Sequence, residues 1–198
     1  MLALGYAVLR NGGIGRVARP YMQALADYSD ASVSLGSRDQ LEMVYIDHCR
    51  GNATVSLRLD IGSRIPLSTT AMGRALLAAS PNREREELIG RARADYGEDW
   101  PRVEAGIAQA IEDYRTRGYT MSIGDWKLDV HAVAVPLIPP DGSRILAINC
   151  GGPSFLFDRD RLTTDLGPRL VKLAHNIEAA LMQVGQRPDQ RSTKTPRS

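Results

Sequence analysis

The sequence contains little of what marks several common classes of protein. Only two cysteines, Cys49 and Cys150, occur among its 198 residues, which is too few for a disulfide scaffold and is typical of a reducing compartment. No apolar run approaches the roughly 20 residues that a membrane-spanning helix needs, and the first residues lack the basic flank and cleavage site of a secretory signal. These absences predict a cytoplasmic protein with no membrane partner.

Motifs for cofactors and metals are also missing. The sequence has no phosphate loop and no dinucleotide fingerprint, and its two Phe and two Trp are too few for an aromatic and basic stripe that binds single-stranded nucleic acid. The histidines His48, His131 and His175 show no paired spacing with each other or with a cysteine, as a zinc site would need. We therefore expect no cofactor and no metal.

The net charge of +2 does not come from the body of the chain. Residues 186–198 carry four of the 25 basic and one of the 23 acidic residues, which leaves 21 basic and 22 acidic residues in the rest. This segment is rich in Ser, Thr, Pro, Gln and Arg and cannot bury a core, so we expect a disordered basic tail. The nearly neutral body lacks the basic surface that is typical of nucleic-acid binding.

Apolar periodicity divides the body into helices and strands. Helices are predicted at 14–28, with a regular start near Arg19 because Pro20 suits a first turn, and at 68–81, 82–94, 101–117 and from Asp158 onward. Strands are predicted at 32–36, 41–48, 53–59, 119–123, 130–138 and 144–151, with a loop at 61–66. This order predicts an α+β domain with an antiparallel sheet.

The junction between the loop and the helix at residues 66–73 carries the most chemical content. A helix N-terminus presents unpaired N–H groups and the positive end of the dipole, which suits a small carboxylate. Ala71 and Gly73 would leave the backbone open, and Met72 would supply an adaptable apolar wall. The alternative is that Ser68 or Thr69 only caps a structural helix.

Two further segments admit a functional and a structural interpretation. Asn149, near the end of an apolar strand, could place its amide in a pocket, while the glycines after it would let a ligand approach the backbone; a simple turn fits equally well. Cys150, His131 and Asp129 could form a catalytic constellation. Neither Cys150 nor His131 lies in a nucleophile motif, and a buried cysteine mostly behaves as a small apolar residue.

Several motifs in register resemble one known family. The segment LDIGSRIPLSTTAMGRALLAASP (59–81) resembles the signature of the effector-binding domain of the IclR family of bacterial transcriptional regulators. Residues 115–153 are similar to the family's later strands, with RGY, AVP, DG and GP in the same order. The opening LALGYAVL (2–9) resembles the end of the helix that joins the family's winged helix-turn-helix to this domain. The similarity covers about residues 2–184.

The resemblance implies a GAF-like α+β domain with a curved antiparallel sheet of about six strands flanked by helices. It implies that residues 1–12 end a linker helix from a missing winged helix-turn-helix domain, and that residues 13–185 form the effector-binding domain. It also implies that DNA is contacted only through the missing domain, and that the assembly is a homodimer or a tetramer.

The family's effector pockets also identify candidate site residues. They are built from the strand before the signature, the helix N-terminus and two later strands, which here correspond to Leu57, Ile65, Ala71, Met72, Ser122, Val130, Ala132, Asn149 and Gly151. Ser122 stands where an acidic residue is frequent, Asn149 and Gly151 replace small hydroxyl residues, and 125–129 departs from the usual acidic sequence. These departures speak against a glyoxylate or pyruvate type of effector. The similarity of the signature to regulators of aromatic-acid degradation favours an aromatic carboxylate.

The leading hypothesis is therefore a ligand-sensing domain of a transcriptional regulator, and not an enzyme. It would bind a small organic carboxylate and so control DNA binding by the absent winged helix-turn-helix. One alternative is a structural or oligomerisation module without a ligand, since apolar faces of the first and last helices could pair subunits. Another is an enzyme that uses Cys150.

Overall fold

The computed structural model describes residues 2–52 and 59–185. The helices are α1 (Leu2–Ser29), α2 (Ala71–Ala79), α3 (Asn82–Ala92), α4 (Trp100–Arg117), α5 (Arg159–Arg161) and α6 (Gly167–Gly185). The strands are β1 (Ser32–Asp39), β2 (Glu42–Arg50), β3 (Arg64–Pro66), β4 (Thr120–Ile123), β5 (Val130–Leu137) and β6 (Leu146–Pro153). Most of the predicted strand at 53–59, including Leu57, and the whole predicted tail at 186–198 lie outside the described residues.

The six strands form one antiparallel sheet in the order β3-β2-β1-β6-β5-β4. A register shift between Leu35 and Gly36 of β1 marks a bulge, which bends a strand and increases its twist. The sheet is curled and has helices on both faces, so the predicted α+β class with a curved sheet is confirmed. The prediction of a loop at 61–66 is wrong in part, because residues 64–66 form β3, whose backbone pairs with that of β2.

Each face of the sheet carries its own apolar core. Helices α1 and α6 cover one face, where Met22, Leu35, Ile148 and Leu170 are fully buried. Helices α2, α3 and α4 cover the other face and enclose the second core. Among residues 2–52 and 59–185, no helix combines the length and the apolarity that crossing a bilayer requires.

Helix α1 is longer than the sequence predicted. It runs from Leu2 to Ser29 with Pro20 inside it, rather than beginning regularly near Arg19. Proline removes one backbone hydrogen bond and disfavours a helix interior. Burial of Ala18, Met22 and other apolar side chains against the sheet offsets that cost. The helix continues through residues 12 and 13, and the division of linker from domain at that point stays a prediction.

The other helix boundaries follow the local signals in the sequence. Helix α4 ends at Gly118, which adopts a left-handed conformation with a φ of 81°, as expected of a glycine C-cap. Asp158 caps α5 because its side chain accepts a hydrogen bond from the N–H of Arg161. A π-helical turn, Leu162–Leu166, joins α5 to α6. The predicted closing helix therefore begins where expected.

Gly73 sets the distance between α2 and the segment that precedes it. A β-carbon at this position would overlap the backbone of Leu67, which no side-chain rotation can relieve. The start of α2 is therefore held against its own incoming loop by a residue that has to lack a side chain.

We expect Gly73→Ala to lower the free energy of unfolding by about 3 kcal/mol or more, because backbone has to move to admit the methyl group. The matched control is Gly90→Ala, an exposed position in α3 where a β-carbon would meet no atom within 4 Å. That change should raise the free energy of unfolding by about 0.5–1 kcal/mol through helix propensity. Urea denaturation measures both, and a Gly73→Ala protein as stable as the control would contradict the close approach.

Candidate functional site

A pocket lies between the start of α2 and the middle of the sheet. Its open volume, counted out to the mouth, is about 490 Å³. Its floor is formed by mostly small residues of the neighbouring strands β1, β6 and β5. Ser34 pairs there with Asn149, and Gly151 lies between Ser32 and Ala132. The full lining comprises Ser32, Ser34, Tyr45, His48, Leu59, Ile65, Thr70, Ala71, Ser122, Trp126, Val130, Ala132, Asn149 and Gly151.

The N-terminus of α2 forms one wall of this pocket. Thr70, rather than Ser68 or Thr69, is the cap: its Oγ1 accepts a hydrogen bond from the N–H of Gly73 at 3.1 Å and donates one to the carbonyl of Pro66 at 2.7 Å. Thr70 is the cap because it is the last extended residue before the helix. Within the described residues, no acceptor meets the N–H groups of Ala71 and Met72. The helix therefore presents two unpaired donors at its positive end.

The guanidinium of Arg74 fixes this end of α2 to its surroundings. It is buried and donates to the carbonyl of Ser68 at 3.0 Å, to the carbonyl of Met121 at 3.2 Å and to the carboxylate of Asp125 at 2.6 Å. The loop after β4 that contains Asp125 also carries Trp126, a wall of the pocket. Arg74 thus connects the incoming loop, strand β4 and the Trp126 loop.

The wall opposite α2 is polar. Tyr45, His48 and Ser34 are buried, and burial raises the pKa of Tyr45, while hydrogen bonds from Asn149 and Ser34 lower it in part. Burial is also the first cause that lowers the pKa of His48, followed by the charge of Arg50. None of the described residues that line the pocket is acidic, so the described lining itself sets no carboxylate against an anionic ligand.

The structure brings most of the predicted site residues together around this pocket. Those that line it are Ile65, Ala71, Ser122, Val130, Ala132, Asn149 and Gly151. Leu57 lies outside the described residues. That the lining residues bind a ligand stays a prediction.

Met72 does not form the pocket wall that the sequence predicted. Its side chain is fully buried in the core beneath α2, and a β-carbon on Gly36 would overlap its sulfur. The side chain therefore fills the space left by a glycine at the bulge of β1. The backbone N–H of Met72 has no acceptor among the described residues.

Several lining residues were not predicted from the sequence. Tyr45 and His48 lie on β2, and Trp126 lies on the loop after β4. The alternation of small polar residues at Ser32 and Ser34 in β1 was a usable signal for a cavity floor. No comparable motif marks Tyr45 or Trp126, whose positions depend on how β2 and the loop reach the pocket.

The alternative of catalysis by Cys150 finds no support in the geometry. The thiol is fully buried on the face of the sheet opposite the pocket, where its only hydrogen-bond partner among the described residues is the Ser29 hydroxyl, at 3.8 Å. Burial raises the pKa of Cys150 to about 12, so the reactive thiolate is scarce at neutral pH. His131 instead bonds through Nδ1 to the carbonyl of Phe157 at 2.8 Å. Within 2–52 and 59–185, no three His, Cys, Asp or Glu residues cluster as metal ligands would.

Comparisons with known proteins agree on one family. The model of the family described as the C-terminal region of the bacterial transcriptional regulator IclR matches residues 6–179. The HTH-type transcriptional regulator TsaQ1/TsaQ2 of Comamonas testosteroni is 33% identical over 183 residues, which are 91% of this chain and 66% of that protein. The chain thus spans just under two thirds of the length of the first curated relatives that it matches.

Solved structures show the same fold. The crystal structure of an IclR-family transcriptional regulator from Brucella abortus is 45% identical, with a TM-score of 0.83 over 90% of this chain and 67% of that one. The crystal structure of an IclR homologue from Microbacterium hydrocarbonoxydans, complexed with 4-hydroxybenzoate, is 22% identical. Its TM-score is 0.70 over 89% of this chain and 70% of that one, and at this identity the likeness concerns the fold alone.

We expect Cys150 to react slowly with a thiol-specific alkylating reagent at neutral pH, because its thiol is buried and its pKa is about 12. Mass spectrometry should show a large increase in the alkylation rate once denaturant unfolds the domain. Cys49, which is also buried and whose pKa is raised by burial, is the internal control. Rapid labelling of native Cys150 alone would revive the alternative of a catalytic cysteine.

The neutral state of His48 predicts a loss of stability at acidic pH. The pKa of His48 is lowered from its ordinary 6.5, so His48 binds a proton more readily in the unfolded chain than in the folded one. The resulting contribution to stability is present above about pH 6.5 and is lost as the pH falls through the folded pKa. Between about pH 7 and pH 5, the free energy of unfolding should fall more in the unmodified protein than in His48→Asn. If urea denaturation shows the same fall in the free energy of unfolding for both proteins, His48 is not the cause of the acid sensitivity.

Proposed function

The chain belongs to the IclR family of bacterial transcriptional regulators, as a C-terminal domain, and from this premise we propose that its pocket binds a small organic carboxylate. Binding would in turn control how the regulator's winged helix-turn-helix engages DNA. The observation that carries the proposal is that Thr70 and Ala71 line the pocket at the start of α2, where the N–H of Ala71 has no acceptor among the described residues. A carboxylate there would accept hydrogen bonds and lie at the positive end of the α2 dipole.

The remaining lining supports an aromatic carboxylate. Trp126, Leu59 and Ile65 provide apolar walls, and an aromatic ring buries well against such surfaces. The small residues Ala132 and Gly151 leave room for a ring, because a bulky side chain at either position would fill the space above the floor. The regulator from Microbacterium hydrocarbonoxydans, which has this fold, is complexed with 4-hydroxybenzoate. This observation supports an aromatic acid as the effector class.

The proposal includes action by binding rather than catalysis. The curated relative from Comamonas testosteroni is named as a transcriptional regulator, and the buried thiol of Cys150 lies on the opposite side of the sheet from the pocket. That the domain forms a homodimer or a tetramer stays a prediction, which light scattering of the purified chain measures.

A thermal-shift screen of benzoate, hydroxybenzoates and small keto acids tests the proposal. A carboxylate that binds only the folded domain raises the free energy of unfolding by about 2.7 kcal/mol at 100 times its Kd. We expect at least one aromatic acid to raise the Tm, and Ala132→Leu to abolish the rise because the larger side chain fills the floor. Ala108→Leu, at an exposed position of α4, should leave it unchanged.

Circular dichroism has to show that both variants are folded. A full response in Ala132→Leu would mean that the ligand binds elsewhere. The absence of any response in the unmodified protein, together with a defined oligomer in light scattering, would favour the oligomerisation module instead.

A further inference from the structure

The polar wall of the pocket has an arrangement of donors and acceptors that a carboxylate alone does not use. We define it by four side chains: Ser34, Tyr45, His48 and Asn149. Ser34 and Asn149 are direct partners on β1 and β6, while His48 pairs with Ser34 from β2. All four line the pocket, and the side chains of Ser34, Tyr45 and His48 are more than nine-tenths buried.

Arg50 determines the direction of the hydrogen bonds along this wall. Its Nε–H donates to Nε2 of His48 at 3.1 Å, and a guanidinium can only donate. Neutral His48 therefore carries its proton on Nδ1 and donates it to Oγ of Ser34 at 2.8 Å. Ser34 accepts that bond and keeps its own hydroxyl proton, which is free for Tyr45 or for a ligand. The relay from Arg50 thus ends in a hydroxyl donor that faces the pocket.

Asn149 leaves an acceptor unused beside this donor. Its Nδ2 donates to the hydroxyl oxygen of Tyr45 at 3.4 Å. Its Oδ1 is buried and has no hydrogen-bond partner among the residues that the structure describes. Buried polar atoms are nearly always paired, and an unpaired one is unfavourable. The pocket therefore presents an acceptor that a bound group has to satisfy.

We infer that the polar wall selects carboxylic acids that carry a hydroxyl group, with Oδ1 of Asn149 accepting the ligand's O–H. The inference rests on the proposed function, since the carboxylate is taken to bind at the start of α2. In return, the ligand's hydroxyl oxygen accepts a hydrogen bond from Tyr45 or Ser34. A hydroxyl group both donates and accepts, which matches the two functions side by side on this wall.

Other groups at the same position match the wall less well. A ring C–H leaves both the acceptor and the donor unpaired. A second carboxylate only accepts, so it would bring negative charge against Oδ1. An aromatic amine donates to Oδ1 but is a poor acceptor for Tyr45. We expect the hydroxy-substituted acid to bind most tightly and the amine-substituted acid next. The unsubstituted acid and the dicarboxylic acid should bind most weakly.

Calorimetric titration of the purified chain tests this order with benzoate, the three hydroxybenzoates, 4-aminobenzoate and terephthalate. In the unmodified protein, the best hydroxybenzoate should bind at least tenfold more tightly than benzoate, because a site with buried polar groups rejects the analogue that leaves them unpaired. In Asn149→Leu, which keeps a similar volume, that ratio should fall below about threefold, with the benzoate affinity unchanged or higher.

Ser122→Ala is the matched control in the same pocket. Ser122 lines the pocket too, but its hydroxyl is already paired with the carbonyl of Thr69 at 2.8 Å. The change should leave the ratio of the hydroxybenzoate affinity to the benzoate affinity intact, whatever it does to each affinity alone. Should Asn149→Leu fail to fold, Asn149→Ala provides the same readout.

The outcomes separate this inference from the proposed function. If benzoate and every hydroxybenzoate bind within threefold of one another, the selection by Asn149 is overturned while carboxylate binding stands. A ratio that survives in both Asn149 variants also overturns it, because the hydroxyl would then be recognised elsewhere. If no acid binds the unmodified protein at all, the proposed function fails and the inference fails with it.

Discussion

The pocket depends on one buried cation. The guanidinium of Arg74 has few ways to be satisfied away from water, and a charged group there needs a complete set of partners. It finds them in the Ser68 carbonyl, the Met121 carbonyl and the Asp125 carboxylate, which belong to three different parts of the chain. The helix α2, the edge strand β4 and the loop with Trp126 are therefore held in one arrangement. Gly106 of α4 supports it, since a β-carbon there would overlap the guanidinium.

With α2 held in place, the size of the sheet residues beneath it decides whether a cavity remains. A sheet whose central positions carry Ser, Ala and Gly cannot reach the overlying helix with its side chains, so a cavity remains where the core would otherwise close. The opposite arrangement occurs at Met72 of the same helix, where a long side chain lies against Gly36 and fills the space. The two walls of the cavity then differ in kind: backbone N–H groups of α2 on one side, and oriented side chains of the sheet on the other.

The sequence was informative where local rules decide the outcome. The hydroxyl-rich junction before α2 located the helix cap within two residues, whereas Ala132, Asn149 and Gly151 were assigned to one site through the family resemblance. The prediction that Met72 lines the pocket was wrong, because its position on the helix does not reveal that Gly36 of β1 leaves space for its side chain. Pro20 predicted a helix start because the backbone hydrogen bond that proline removes is a local effect. The packing of α1 against the sheet, which offsets that loss, depends on the tertiary structure. Tyr45, His48 and Trp126 escaped notice because the fold, and no motif, brings them to the pocket.

The ion pair between Arg19 and Asp47 links the long first helix to the strand beside the pocket. Oδ1 of Asp47 also accepts the backbone N–H of His48 at 2.8 Å, so the carboxylate joins α1 to a residue of the polar wall. About 17 residues of α1 lie ahead of Arg19, which is a rod of roughly 25 Å at 1.5 Å per residue. The base of this rod is thus tied, through a single carboxylate, to the strand that carries His48.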